Sequence, residues 1–328
     1  MTPTPDDAPP GYRHLRRDVA WGELPPRALV LATGRDAVAF VDRFTTASLA
    51  VLAPGRGTES VFCDARGHVL AVALVLRTDA GLEIDVGAPA GSALLDHLEH
   101  HHIREQVEFR DASSAHTTVL VAGPAAADWL EARLGVVAVS PGDHAPGAAG
   151  GTAVQVIRVA GYGPAAFLIR AAAADAAALR SWLVDAGLPM ATADAIDTLR
   201  IEERTPATAD ILEKTLPQEL DLPARAISFT KGCYLGQETV ARLDALGHVN
   251  RRLTLVGCDG RVPPAAGTPV LADGAPVGAI TSACAAPGAD ASLALALVHR
   301  RGTEPTARLT LDGRRAWLAT TASGGEPR

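Results

Sequence analysis

The 328-residue chain, 48% hydrophobic and 20% charged with a formal net charge of −7, has room for two or three domains and a substantial core. Its acidic balance excludes a general nucleic-acid or acidic-membrane binder. The four cysteines, Cys63, Cys233, Cys258 and Cys284, form no C-x-x-C pair, which argues against disulfides and structural zinc and for free thiols in a cytoplasmic protein. The longest core-like run, Val69 to Leu76, falls far short of the roughly 20 residues of a membrane helix.

Residues 1–24, rich in Pro and Asp, read as a mobile tail. The first folded element predicted is a helix from about Gly34 to Phe44, with an apolar face at Val38, Val41 and Phe44. Strands follow at Glu59–Asp64, His68–Arg77 and Leu82–Val86, then a helix from Ala90 to Ile103 and a strand at Gln106–Arg110. A second unit of similar outline comes next. Thr117–Val121 is a strand, and Gly123-Pro124 starts a helix running to about Leu134. A glycine-rich loop from Pro141 to Gly151 leads to strands Ala153–Val159 and Ala166–Arg170 and an alanine-rich helix ending near Gly187. Hairpins packed with helices, twice over, imply an α+β class with two halves, roughly 25–114 and 115–246. Asp194 to Glu203 reads as a helix with Asp194 as N-cap. From about Gly247 the composition shifts to short apolar runs between turns such as Asp259-Gly260, Asp273-Gly274 and Asp312-Gly313, the pattern of a β-barrel over 247–328.

The stretch richest in chemistry is Lys231-Gly232-Cys233-Tyr234-Leu235-Gly236-Gln237-Glu238. Ile227 to Thr230 reads as a strand before it and Thr239 to Leu243 as a helix after it, which puts the thiol near a helix start. Only two lysines occur, Lys214 and Lys231, and one stands two residues from Cys233. A neighbouring cation and a helix start would lower a thiol pKa; a small buried hydrophobe is the plainer reading of a free Cys. The histidines at 97, 100, 101 and 102 lack a completing ligand motif and read as a solvated helix face, so no metal is expected. Gly161-Tyr162-Gly163 reads as a hairpin turn, because strand and not helix follows it. Glu202, on a helix beside Arg200, is either a surface charge or a carboxylate that takes paired N–H donors from an amino-heterocycle.

The run Ile227 to Arg242, continuing through Gly247-His248-Val249-Asn250-Arg251-Arg252-Leu253, together with Leu199-Arg200-Ile201-Glu202 and Leu216-Pro217-Gln218-Glu219, resembles the YgfZ family. These are folate-binding relatives of the glycine-cleavage T-protein, an aminomethyltransferase. The resemblance spans about Leu31 to Leu318. It implies a three-domain cloverleaf, with two ferredoxin-like α+β units around a folate pocket and a C-terminal β-barrel. It further implies tetrahydrofolate or a one-carbon derivative as cofactor, and iron–sulfur assembly or client proteins as partners. Cys233 and Lys231 then become the working pair. Glu202, Arg200, Tyr234, Gln237, Glu238 and Arg242 become the candidate ligand contacts. The T-protein's acidic pair after the Gly-x-Val hairpin is missing: the corresponding stretch is Gly67-His68-Val69-Leu70-Ala71-Val72-Ala73. The polar run after the first helix reads Thr46-Ala47-Ser48, and Glu203-Arg204 replace the small residues that follow the pterin-contacting Glu. Lacking an acid at Ala71-Val72, the chain is expected to be a folate-binding accessory protein for iron–sulfur cluster assembly or repair. A folate-dependent aminomethyl or methyl transferase is the alternative.

Overall fold

The structure, a computed structural model, describes residues 8–222, 226–246 and 249–320. Its elements in order are α1 (Tyr12–Arg17), β1 (Ala20–Glu23), β2 (Arg27–Thr33), α2 (Ala37–Asp42), β3 (Arg56–Cys63), β4 (Val69–Thr78), β5 (Gly81–Gly87), α3 (Ala88–His101), β6 (Glu108–Asp111), β7 (His116–Ala122) and α4 (Ala126–Leu134). Then come β8 (His144–Ala149), β9 (Thr152–Val159), β10 (Ala166–Ala172), α5 (Ala176–Asp185), α6 (Ala193–Glu202) and α7 (Gln237–Leu246). The barrel strands are β11 (Arg251–Asp259), β12 (Pro269–Ala272), β13 (Ala275–Ala285), β14 (Ala291–His299), β15 (Leu309–Leu311) and β16 (Arg314–Leu318).

Three sheets result: β3-β4-β5-β2-β6, β1-β7-β10-β9-β8, and a closed barrel β11-β14-β13-β12-β15-β16. The fold is thus two mixed α/β units and a six-stranded barrel, as the α+β reading expected. Period-2 alternation explains how the first two sheets meet. On β4, Ala73 and Val75 face a core shared with Phe40 and Leu94 of α2 and α3. Leu74 and Leu76 face the other way, against Leu120 of β7 and Leu168 of β10. The second sheet mirrors this, with Val121 and Phe167 packed on α4 and α5. Over Ala73 to Leu76 β4 is buried on both faces, and such a strand is apolar at every position; the apolar run continues to Val69 although Leu70 is exposed. Each fully buried leucine in this seam contributes about 2 kcal/mol.

Helix α6 is the pivot of the three parts. Ala195, Ile196 and Leu199 pack into the seam between the sheets, and Ile201 packs on Leu253, Leu255, Leu295 and Leu297 of the barrel's outer face. On β14 the intervening Ala294, Ala296 and Val298 fill the barrel instead. Among the described residues no helix is long and apolar enough to cross a membrane.

Several local expectations need correction. Residues 12–17 and 20–23, expected in the tail, form α1 and β1, and β1 pairs antiparallel with β7. Burial of Leu15, Ala20 and Trp21 holds them there. β8 occupies part of the glycine-rich loop, because its backbone pairs with β9 even where its side chains are small. The N-cap of α6 is Thr192, whose hydroxyl accepts from the Ala195 N–H, and not Asp194. Residues 227–230 form no strand; the segment bonds to the chain after α2, with Ser228 N–H donating to the Thr46 carbonyl at 2.8 Å. His97 is half-buried, its ring 4.7 Å from His101 and edge-on to Phe44, so that helix face is only partly solvated. The composition boundary at Gly247, and the signature residue His248, lie outside the described residues.

Candidate functional site

A cavity of about 570 Å³ opens beside α6, between the two sheets. Its apolar wall includes Leu24, Pro25, Pro26, Leu74, Leu168 and Ile196. Its polar groups come from β2 (Arg27), β3 (Glu59), the β9–β10 turn (Tyr162) and the α6 region (Asp197, Arg200, Glu203, Arg204). Helical spacing explains the last set: residues 193, 196, 197 and 200, three or four apart, share one face. Tyr162 stands between Gly161 and Gly163, both at positive φ, which lets the turn bring the phenol inward. Burial raises the Tyr162 pKa, while Arg27 and Arg200 pull it down.

Arg200 lines the cavity, yet its guanidinium is fully engaged. It bonds Asp197, the Thr205 carbonyl, Asp210 at 2.7 Å and Ser282 of β13 at 3.0 Å. Asp210 is buried completely and also accepts from the Ala207 N–H and the hydroxyls of Thr281 and Ser282. This set ties α6 to the barrel.

Glu202 points elsewhere, since one helical step past Ile201 turns it away from the cavity face. The Tyr12 hydroxyl reaches its two carboxylate oxygens at 2.8 and 2.9 Å, and Arg16 lies 3.9 Å away. Burial raises the Glu202 pKa; the Tyr12 hydrogen bond and the Arg16 charge oppose that rise.

The cysteine motif sits against the first unit and lines neither this cavity nor a second one of about 410 Å³ beside it. Lys231 turns inward. Its ammonium donates to the carbonyls of Asp42, Thr45 and Ala47 at 2.6, 2.9 and 2.7 Å, and lies 3.1 Å from the Asp42 carboxylate. Tyr234 is buried, with the Lys231 ammonium 5.4 Å from its ring centroid. Burial raises its pKa, and Cys63 adds to the shift. Gln237 opens α7, its side-chain oxygen accepting from the Tyr234 N–H at 3.3 Å. Glu238 and Arg242 are exposed on α7. Cys233 is exposed.

Two glycines seat the motif. Gly236, at φ +81°, lies so close to the β3–β4 turn that a Cβ would stand 2.6 Å from the Asp64 carbonyl and 2.7 Å from Gly67 Cα. Gly67 is itself left-handed, and a Cβ there would meet Thr239 at 2.9 Å. The Leu-Pro-Gln-Glu stretch braces the other side. The Gln218 amide donates to the Val240 carbonyl, and Glu219 takes a two-point bond from Arg251 at 2.9 Å each. Among the described residues no group of three or more His, Cys, Asp or Glu could hold a metal ion.

Sequence reasoning missed Arg27 and Tyr162 as cavity residues. The only signals were Pro25-Pro26, which fixes the entry to β2, and the paired glycines around Tyr162.

Comparison with known proteins agrees with this architecture. The GCVT N-terminal domain profile matches residues 10–231 and the glycine cleavage T-protein C-terminal barrel domain profile matches residues 251–323. An aminomethyltransferase from Streptomyces avermitilis is 28% identical over 84% of this chain and 77% of its own length. A mitochondrial iron-sulfur cluster assembly factor IBA57 homolog from Aspergillus fumigatus is 26% identical over 76% of this chain and 60% of its own. The crystal structure of glycine cleavage system aminomethyltransferase T from Bartonella henselae superposes with a TM-score of 0.79 at 18% identity, covering 95% of this chain and 87% of that one. With both profiles in chain order over matching domains, the chain belongs to the glycine-cleavage T-protein (GCVT) family.

Proposed function

We propose that this chain is a YgfZ-type member of the family, a tetrahydrofolate-binding accessory protein for iron–sulfur cluster assembly or repair, with Cys233 as its working thiol. One observation carries the reading. An exposed thiol on a firmly seated loop stands apart from a ligand-sized cavity whose wall includes Val72, from the Ala71-Val72 stretch where the transferase needs its acid. Proton transfer at a folate amine requires a titratable group within hydrogen-bond reach, and that stretch of wall has none. The kinship to an iron-sulfur cluster assembly factor points the same way.

The cavity's chemistry suits a reduced folate. Its volume lies in the usual range for small-molecule sites, about 300–1,000 Å³. Asp197, paired with Arg200, and Glu203, paired with Arg16 at 3.1 Å, each have carboxylate lone pairs that can also accept from the N–H edge of a pterin, and the apolar wall suits its aromatic body. The buried Arg204 Nε, which has no hydrogen-bond partner among the described residues, offers a donor. Asp197, Glu203 and Arg204 are therefore the residues that would hold the ring; bound there, tetrahydrofolate supplies one-carbon carrying capacity. Glu202 joins them only by giving up Tyr12. A soft thiolate suits iron–sulfur chemistry, but a cluster takes about four ligands, so a client protein or small thiol must complete the set around Cys233.

Calorimetric titration with tetrahydrofolate tests the cofactor. Complementation of a strain lacking the protein, scored by iron–sulfur enzyme activities, tests the thiol. Saturable binding together with loss of complementation by Cys233→Ala is expected. Turnover of aminomethyl donors to methylene-tetrahydrofolate would instead establish the transferase.

A further inference from the structure

The free edge of one guanidinium in the cavity is used by nothing described so far. Arg27 opens β2, directly after Pro25-Pro26, and lines the cavity. Its Nε donates to Asp85 of β5. Asp85 is 2% exposed and also accepts from Arg170 of β10. Arg170 in turn bonds Glu83 at 2.8 Å and Gln155 at 3.1 Å. A buried cross-sheet network thus grips the Nε side of Arg27 and holds the group still. Its two terminal nitrogens have no partner among the described residues. A guanidinium held by Nε presents its terminal nitrogens as a two-pronged donor, the geometry that matches a carboxylate.

We propose that Arg27 forms a carboxylate-binding subsite of the central cavity, so that the cavity takes an amphipathic ligand whose apolar body ends in a carboxylate. Leu24, Pro25, Pro26 and Leu74 share the lining with Arg27 and provide the apolar surface for that body. Asp197, Glu203 and Glu59 also line the cavity and disfavour a phosphate, which concentrates nearly two charges on one group, relative to a planar carboxylate, which carries one. Under the folate reading, on which this assignment of the ligand rests, the carboxylate is one of the two on the folate's acyl-glutamate end, the other lying toward the cavity mouth.

The test uses the full-length protein with three probes: tetrahydrofolate, 6-methyltetrahydropterin (the head without a carboxylate) and p-aminobenzoylglutamate (the tail without a pterin). Each is titrated calorimetrically into wild type, Arg27→Gln and Arg27→Lys. The lysine variant keeps a charge beside Asp85, so it preserves the buried network should the glutamine variant fail to fold. Loss of a two-point charged hydrogen bond is expected to weaken tetrahydrofolate and p-aminobenzoylglutamate about ten-fold or more in either variant, with 6-methyltetrahydropterin unchanged. Equal weakening of all three probes, or of none, overturns the subsite while leaving folate binding intact. Arg27-dependent binding of p-aminobenzoylglutamate without any binding of tetrahydrofolate upholds the subsite and sinks the folate reading. A wild type that binds none of the probes overturns both.

Discussion

The Lys231 ammonium and the Asp42 carboxylate lie 3.1 Å apart, with three backbone carbonyls closing around the same cation. The lysine two residues from Cys233 is therefore the anchor of its loop. Its side chain is 1% exposed, so the ammonium depends on these bonds in place of water. Lys231→Met leaves those carbonyls and Asp42 without a donor and is expected to cost about 3 kcal/mol, read by urea denaturation. An unchanged midpoint would show that the loop is held by other contacts.

Gly236→Ala strains the loop in a second way. A Cβ at φ +81° meets backbone of the β3–β4 turn at 2.6 and 2.7 Å, and backbone cannot swing aside as a flexible side chain does. The expected loss is about 2 kcal/mol or more, with faster proteolysis of the motif loop ahead of α7. Gly232→Ala, where the added Cβ meets nothing within 4 Å, is the control and stays near wild type.

Tyr12 and Glu202 set a pH dependence. Burial raises the folded-state pKa of Glu202 above its ordinary value near 4.5. Between those two values the native state holds the extra proton. Stability therefore falls as pH climbs through that window, and the contribution is complete below it. Glu202→Gln flattens this limb of a stability–pH curve. Tyr12→Phe removes hydrogen bonds that favour the ionised carboxylate, so it moves the limb to higher pH and lowers neutral-pH stability by about 1 kcal/mol. A limb that Tyr12→Phe leaves in place would show that another group titrates.

The four thiols separate by reactivity. Cys63 is buried and its pKa is pushed up to about 12 by burial and then by Asp64. Burial likewise pushes half-buried Cys284 up to about 12. Cys258 is buried against Ser292. Iodoacetamide at pH 8 is expected to modify Cys233 first, at one equivalent. Cys233→Ala should remove that fast phase and change stability by no more than about 0.5 kcal/mol. Rapid labelling of a second thiol would contradict this order.

Much of the architecture was legible in the residues. The unbroken apolar run Val69 to Leu76 announced a strand, and the Asp-Gly turns announced the barrel. β1 and β8 were hidden, because an edge strand held by backbone pairing needs no periodic side chains. The candidate site was half legible. Arg200 lines the cavity but spends its guanidinium on Asp197, Thr205, Asp210 and Ser282, whereas nothing local to Arg27 reveals that Asp85 and Arg170, each more than fifty residues away, hold it in place.

The sequence by itself determined that an exposed-type loop with one thiol, one lysine and two glycines exists, because glycine spacing and residue type are local properties. Only the tertiary structure decided where its charges point. Lys231 turns into carbonyls of the chain after α2, Glu202 turns from the cavity to Tyr12, and Arg27 presents its free edge to the cavity. The reason is physical. A buried charge takes its orientation from whichever distant groups can solvate it, and those partners come together only when the two sheets and the barrel pack around α6.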